Sequence, residues 1–208
     1  MIKKNIKFGI RVTQKIIKVL RLDEKNGNIL WRYGIAKEIN AVMVVFKLFN
    51  EKENPPTNYQ EIICHMIFDI KTEDFRRKAR YVAGGHATVA TPILSYDSVV
   101  SQESVRVYLM LAALNDLEVK KSDIQNAYLT APCSEKIWTT LGSEFGPDLS
   151  GKKALIVRAV YGIKSAGASF RNHLAECMIN LGYLSFLSDP YVWFKEEKGP
   201  SDGAKYYA

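Results

Sequence analysis

Hydrophobic spacing divides the chain into helices and strands before any chemistry is considered. After Thr13, which can cap a helix, Ile16, Ile17 and Leu20 recur at helical intervals, and the run from Glu24 to Gly27 ends the element. Asn28 restarts the chain. Trp31, Ile35, Ile39, Val42, Phe46 and Phe49 then recur at steps of three and four, which predicts one amphipathic helix over 29–49. Asn54, Pro55, Pro56 and Thr57 break that pattern. Beyond them, 62–71 and 75–82 read as two strands of a hairpin turned about 72–74.

The stretch 88–100 is irregular, with Pro92 excluding a central strand. Ser101 can cap a helix over 102–114, with Glu103 in the first turn where the macrodipole favours an anion. Val105, Leu109, Ala112 and Ala113 form one apolar face, and Tyr108, Leu111 and Leu114 spread hydrophobicity round the rest, so this helix is expected to be buried against a sheet. Asn115 and Asp116 end it. A strand-like segment follows, with Lys121 and Asp123 on one side, and Asn126, Ala127, Tyr128 and Leu129 then suit a tight helical turn. Asp123 is thereby expected at a strand end, held by a sheet and facing solvent.

Further on, 137–141 reads as a short strand, 142–153 as a polar loop and 154–160 as an apolar strand. Phe170, Leu174, Cys177, Met178 and Leu181 mark one stripe of a helix that Gly182 ends. A last strand over 191–194, a charged turn over 196–203 and a hairpin partner from Lys205 complete an α+β pattern.

Composition narrows the class. With 208 residues, 47% hydrophobic and 25% charged, the chain can bury a substantial core and is neither disordered nor membrane-spanning in character. No apolar run nears the roughly 20 residues a membrane span needs, and the basic start is not followed by a signal-peptide core, so an intracellular protein without a membrane partner is expected. Cys64, Cys133 and Cys177 lie far apart without a CxxC pair, which fits reduced thiols, and His65, His86 and His173 offer no zinc spacing. The formal charge of +7 suits a polyanionic partner, although on charge alone an ordinary solvated surface is the better reading, and the excess is uneven. Lys3, Lys4, Lys7, Arg11, Lys15, Lys18 and Arg21 all precede the first acid, Asp23.

Candidate chemistry gathers in three places. Asp123 can offer hard oxygen ligands to magnesium, and Tyr128 follows five residues later. Period-two alternation places Arg76, Lys78 and Arg80 on one strand face, where clustered cations suit either phosphate groups or plain solvation. Gly84 and Gly85 follow as a flexible turn. The run GPDLSGKK at 146–153 falls one residue short of a Walker loop, with Lys153 where the magnesium-binding hydroxyl would stand, and it reads as a surface turn.

Four segments together carry a family likeness. VKKSDIQNAYLTAP at 119–132 resembles the first catalytic motif of reverse transcriptases of copia-type retrotransposons. KARYVAGG at 78–85 resembles their fingers strand, and VRAVYGIKSAGASF at 157–170 resembles their nucleotide-binding turn and helix. SVVSQESVRVYLMLAAL at 98–114 resembles the helix between them. The likeness covers the chain from about Trp31 onward. It implies polymerase fingers and a partial palm over 55–208, led by a helical region over 1–54.

The same likeness assigns roles. Asp123 becomes a catalytic magnesium ligand, Lys78 and Arg80 meet the incoming nucleotide's phosphates, and Ile124 and Tyr128 border the nucleotide. Gly162 and Lys164 lie against base pair and template. Tyr128 is then the ring that excludes ribonucleotides, or alternatively a half-buried core aromatic; Gly162 and Lys164 are otherwise a turn glycine and a surface lysine. The partners implied are an RNA/DNA primer–template, deoxynucleotides and the rest of a retrotransposon polyprotein. Two departures stand out. Ser165, Ala166 and Gly167 replace the family's usual Gln and nearby Pro, and no Tyr-x-Asp-Asp segment occurs in the 208 residues. Two-metal nucleotidyl transfer needs several carboxylates, so this chain is expected to be an inactive piece of such an enzyme, binding magnesium weakly at best. The alternative is a non-catalytic basic module that binds RNA or assembles with protein on a polymerase-like scaffold.

Overall fold

A buried aspartate joins the first two helices. The computed structural model describes residues 10–12, 16–50, 53–71, 74–85, 99–198 and 205–207. The Thr13 cap, the basic residues before Lys18 apart from the backbone of Arg11, the tip of the 72–74 turn, the stretch 88–98 and the 199–204 turn lie outside the described residues. Helix α1 (Ile16–Asn26) ends where Gly27 takes φ +62°. Asp23, buried on α1, accepts the backbone N–H groups of Trp31 (3.1 Å) and Arg32 (2.8 Å), so its carboxylate caps the start of α2 (Leu30–Val42).

Trp31, Ile35 and Val42 of α2 are buried, as their spacing predicts. The helix nevertheless stops at Val42, seven residues short of the expected end. Met43–Val45 forms a single 3-10 turn and Phe46–Leu48 becomes strand β2. Val44, Val45 and Phe46 suit extended backbone, and the strand pairs with β7 (Lys153–Ile156) through Phe46↔Ile156, Lys47↔Leu155 and Leu48↔Ala154. Tertiary pairing overrides the helical period at its tail.

The hairpin of β4 (Cys64–Ile70) and β5 (Arg77–Ala83) forms as expected, in antiparallel register from Cys64↔Ala83 to Ile70↔Arg77. Strand β1 (Ile10–Val12) adds to its other side, giving the order β1-β4-β5. Met66, Phe68, Ala79, Tyr81 and Ala83 are buried, while Lys78 and Arg80 lie half-buried on the opposite face of β5. The free edge of β5 is closed by other elements. Tyr81 N–H donates to Glu38 of α2 (2.8 Å), and Ala83 N–H donates to Tyr161 carbonyl (2.7 Å).

A second sheet has the order β2-β7-β6-β3, with β6 at Ile137–Thr140 and β3 at Gln60–Glu61 running parallel to it. Phe46 of this sheet, Tyr81 of the first sheet and Phe145 form an edge-to-face triangle, with centroid separations of 5.8, 5.5 and 5.3 Å. The two sheets share one core through it.

Helix α3 (Gln102–Leu114) has the Ser101 cap, whose Oγ accepts Ser104 N–H at 3.0 Å. Its expected burial does not occur. Only Ala112 is buried, and Val105, Val107, Tyr108, Leu109, Met110, Leu111 and Leu114 are all exposed. Among the described residues 117–124 makes no strand pairing, so the sheet expected to cover the helix is not among those the structure describes. The strand over 154–160 also ends early, at Ile156. Helix α4 is the short Ala127–Thr130, and α5 runs Ala166–Asn180 with Gly182 at φ +86° closing it. The stripe expected along α5 is half-buried at Phe170, Leu174 and Met178 but exposed at Cys177 and Leu181. Two small hairpins follow, β8 (Leu184–Ser185) with β9 (Trp193–Phe194), and β10 (Glu196–Lys198) with β11 (Lys205–Tyr207). Among the described residues no helix is long and apolar enough to cross a membrane.

Candidate functional site

The outward face of β5 supplies the cationic wall of the site. Lys78 and Arg80 share that face, and Glu38 of α2 lies among them. Burial lowers the Lys78 ammonium from its ordinary range, and the positive charges of Arg80 and Lys71 lower it further, while Glu38 opposes the shift. Burial likewise raises the Glu38 carboxyl, against the stabilising hydrogen bond from Tyr81 and the charges of Lys78 and Arg80. Arg76 does not join the row. It precedes β5 and pairs with exposed Asp74 at 3.4 Å.

From Arg80 an aromatic path leads into the rest of the site. The Arg80 guanidinium lies over the Tyr161 ring at 5.7 Å, Tyr161 packs against Tyr128 at 4.8 Å, and Tyr128 meets Phe170 at 6.2 Å. Three segments distant in sequence therefore converge: β5, α4, and the 161–165 turn with the α5 helix that follows it. Tyr128 is half-buried, with one edge engaged in this packing.

The turn itself is fixed by contact between backbones. Gly162 has φ +94°, and a Cβ there would collide with Ala83 carbonyl oxygen. Gly85 is held in the same way, since a Cβ on it would strike the Gly162 carbonyl. These glycines permit two chain segments to touch; the flexible turn expected at Gly84–Gly85 is a close-packed joint. Gly162 and Lys164 are exposed, with Ile163 and Ser165 buried beside them.

On the other flank, Asn126 takes a left-handed φ of +52° and starts α4. Asp123 and Ile124 precede it on the unpaired loop, both exposed, rather than at the end of a strand. Asp123 carries no hydrogen bond or ion pair among the described residues. Nor, among the described residues, do any three His, Cys, Asp or Glu side chains gather into a cation site. Asp123 is one ligand of the several that two-ion chemistry demands.

Sequence reasoning missed Tyr161, Glu135 and the structural aspartates. Tyr161 had a weak signal, an aromatic beside the turn glycine. Glu135 had none, standing in a short polar run, yet it is buried and its Oε1 accepts both the Ser165 N–H (3.0 Å) and hydroxyl (2.8 Å). Asp189 is buried too, accepting from Ser101 N–H at 3.0 Å, Ser104 hydroxyl at 2.6 Å and Tyr191 N–H at 3.1 Å, so it ties the 189–191 loop to the start of α3.

Residues 46–193 match the model of the family described as reverse transcriptase (RNA-dependent DNA polymerase). The chain is 30% identical over 151 residues to the retrovirus-related Pol polyprotein from transposon TNT 1-94 of Nicotiana tabacum, an alignment covering 67% of the chain and 11% of that protein. It is 25% identical over 180 residues to the corresponding polyprotein from transposon RE1 of Arabidopsis thaliana, covering 82% of the chain and 12% of the relative. Against that from RE2 of the same plant it is 25% identical over 168 residues, covering 76% and 11%. The chain thus spans about a tenth of the length of these curated relatives. No solved structure matches it. With the family model covering more than half of its length, the chain belongs to the reverse transcriptase (RNA-dependent DNA polymerase) family.

Proposed function

We propose that this chain supplies the fingers and part of the palm of a copia-type retrotransposon reverse transcriptase, within an intracellular polyprotein. The helical region over 1–54 leads into the polymerase portion over 55–208. One observation carries the reading: the Arg80–Tyr161–Tyr128 path joins a cationic strand, an aromatic shelf and the glycine turn into one surface. Lys78 and Arg80 have the charge and donors for a deoxynucleotide triphosphate, and a half-buried ring at Tyr128 beside Ile124 suits the sugar. Gly162 and Lys164 face the base pair and template of an RNA/DNA hybrid.

Asp123 contributes one carboxylate to a magnesium site that further carboxylates must complete. Magnesium would there stabilise the charge on the attacking and leaving oxygens of phosphoryl transfer. The 208-residue chain alone therefore lacks nucleotide addition. Primer extension in magnesium tests this: no extension by the 208-residue chain, extension by a longer chain carrying a Tyr-x-Asp-Asp segment, and its loss in Asp123→Asn of that longer chain. Extension by the 208 residues themselves, or full activity of the Asp123→Asn protein, would overturn the assignment.

The +7 charge also favours a second reading, a non-catalytic module that holds RNA or a protein partner on the same basic face. A longer chain that binds the hybrid with Lys78 and Arg80 yet never extends it, at any magnesium concentration, would select that reading.

A further inference from the structure

We infer that Glu135 is a positioning residue for the 161–165 turn, presenting Lys164 to the nucleic acid; the inference rests on the reading of that turn just given. Glu135 lies between α4 and β6, on a segment fixed from both ends. Cys133 N–H donates to Val157 carbonyl (3.0 Å), and Lys136 carbonyl accepts Gln60 N–H (2.9 Å). Its side chain is 5% exposed. A carboxylate so enclosed is costly to bury unless its oxygens are occupied.

Ser165 occupies one of them, Oε1, twice over. It stands at the N-terminus of α5, where a serine ordinarily accepts a helix N–H with its own hydroxyl. Here its side chain makes no such cap; both its N–H and hydroxyl donate to Glu135 Oε1. The acid thus satisfies the N–H of the N-cap residue and places negative charge at the positive end of a 15-residue helix. One turn along, Ser134 and Ser169 hydroxyls meet at 3.0 Å, a second tie between the same two segments.

Lys164 sits between two anchors. On one side Gly162 is pressed against Ala83 and Gly85, and on the other Ser165 is clamped by Glu135. Releasing the second anchor leaves that end of the turn held only through the Ser134–Ser169 contact one turn further along. The helix start then frays, and Lys164 moves with it.

The test uses the 208-residue chain and its Glu135→Ala, Glu135→Gln, Lys164→Ala and Glu135→Ala/Lys164→Ala variants. Hydrogen–deuterium exchange over 163–169 should accelerate at least about tenfold in Glu135→Ala with the β4–β5 amides unchanged, since two charge-assisted bonds are lost. Glu135→Gln keeps an acceptor oxygen and should stay within about threefold of the native rate. Fluorescence anisotropy with an RNA/DNA primer–template should show Glu135→Ala and Lys164→Ala losing similar affinity, and the double variant losing no more. Exchange that is unchanged, or faster across the whole fold, overturns the inference, and so do additive binding losses. Should the native chain not bind the duplex at all, the nucleic-acid reading of the turn falls, while the exchange pattern still decides the role of Glu135.

Discussion

Single carboxylates do much of the joining in this protein, and their chemistry sets its response to acid. Asp189 is held below the usual carboxylate range, first by the Ser104 hydroxyl and then by Ser101 N–H. A folded pKa lower than the unfolded value, roughly 3.9, means the ionised group favours the folded state above that pH, and the contribution disappears as pH falls through the folded value. Asp189→Asn should therefore melt below the native protein at pH 7, and the gap between their melting temperatures should start to narrow below about pH 4 and close only once the pH is below the folded value. A gap that is the same at pH 3 and pH 7 would remove the carboxylate's charge from the account. None of this was legible beforehand. Asp189 and Ser101 are 88 residues apart, and no periodicity marks a side chain that caps a distant helix. Alternation does place Lys78 and Arg80 on one face of β5, and the tight turn at Tyr128 was readable locally; the roles expected of all three came from the family resemblance and not from pattern.

At the scale of elements, local pattern succeeded where a segment's partner was its neighbour. The β4–β5 hairpin, the Ser101 cap and the Gly182 stop follow from residues adjacent in the chain. It failed where distant pairing decided the outcome. The tail of α2 became β2, paired with β7, and 117–124, expected to be a strand, pairs with no strand among the described residues. The 161–165 turn shows the same dependence, since its shape is set by Ala83 as much as by its own sequence. Gly162→Ala should destabilise the protein by about 2–3 kcal/mol, combining an unfavourable φ with a collision at Ala83. Urea denaturation measures this, and a loss below about 0.5 kcal/mol would show that the turn relaxes freely.

Across the whole molecule, the aromatic triangle determines whether the two sheets unfold together. Phe145 is 8% exposed and touches a ring from each sheet. Phe145→Ala should cost about 3 kcal/mol and lower the midpoint of a single thermal transition. Two separated transitions, in circular dichroism or calorimetry, would show that the sheets are independent instead. The α+β class and the order of the main elements could be read from hydrophobic spacing. The way the sheets share a core could not, because Phe46 was assigned to a helix and Phe145 to a polar loop.

The Gly85–Gly162 joint limits how such a chain can drift. Neither position has a side chain left to shed, so a bulky exchange at one cannot be offset by trimming the other, as mismatched core residues often can. A copy accumulating random changes would lose the junction between β5 and the 161–165 turn to a single nucleotide substitution, long before its hydrophobic interior became unrecognisable.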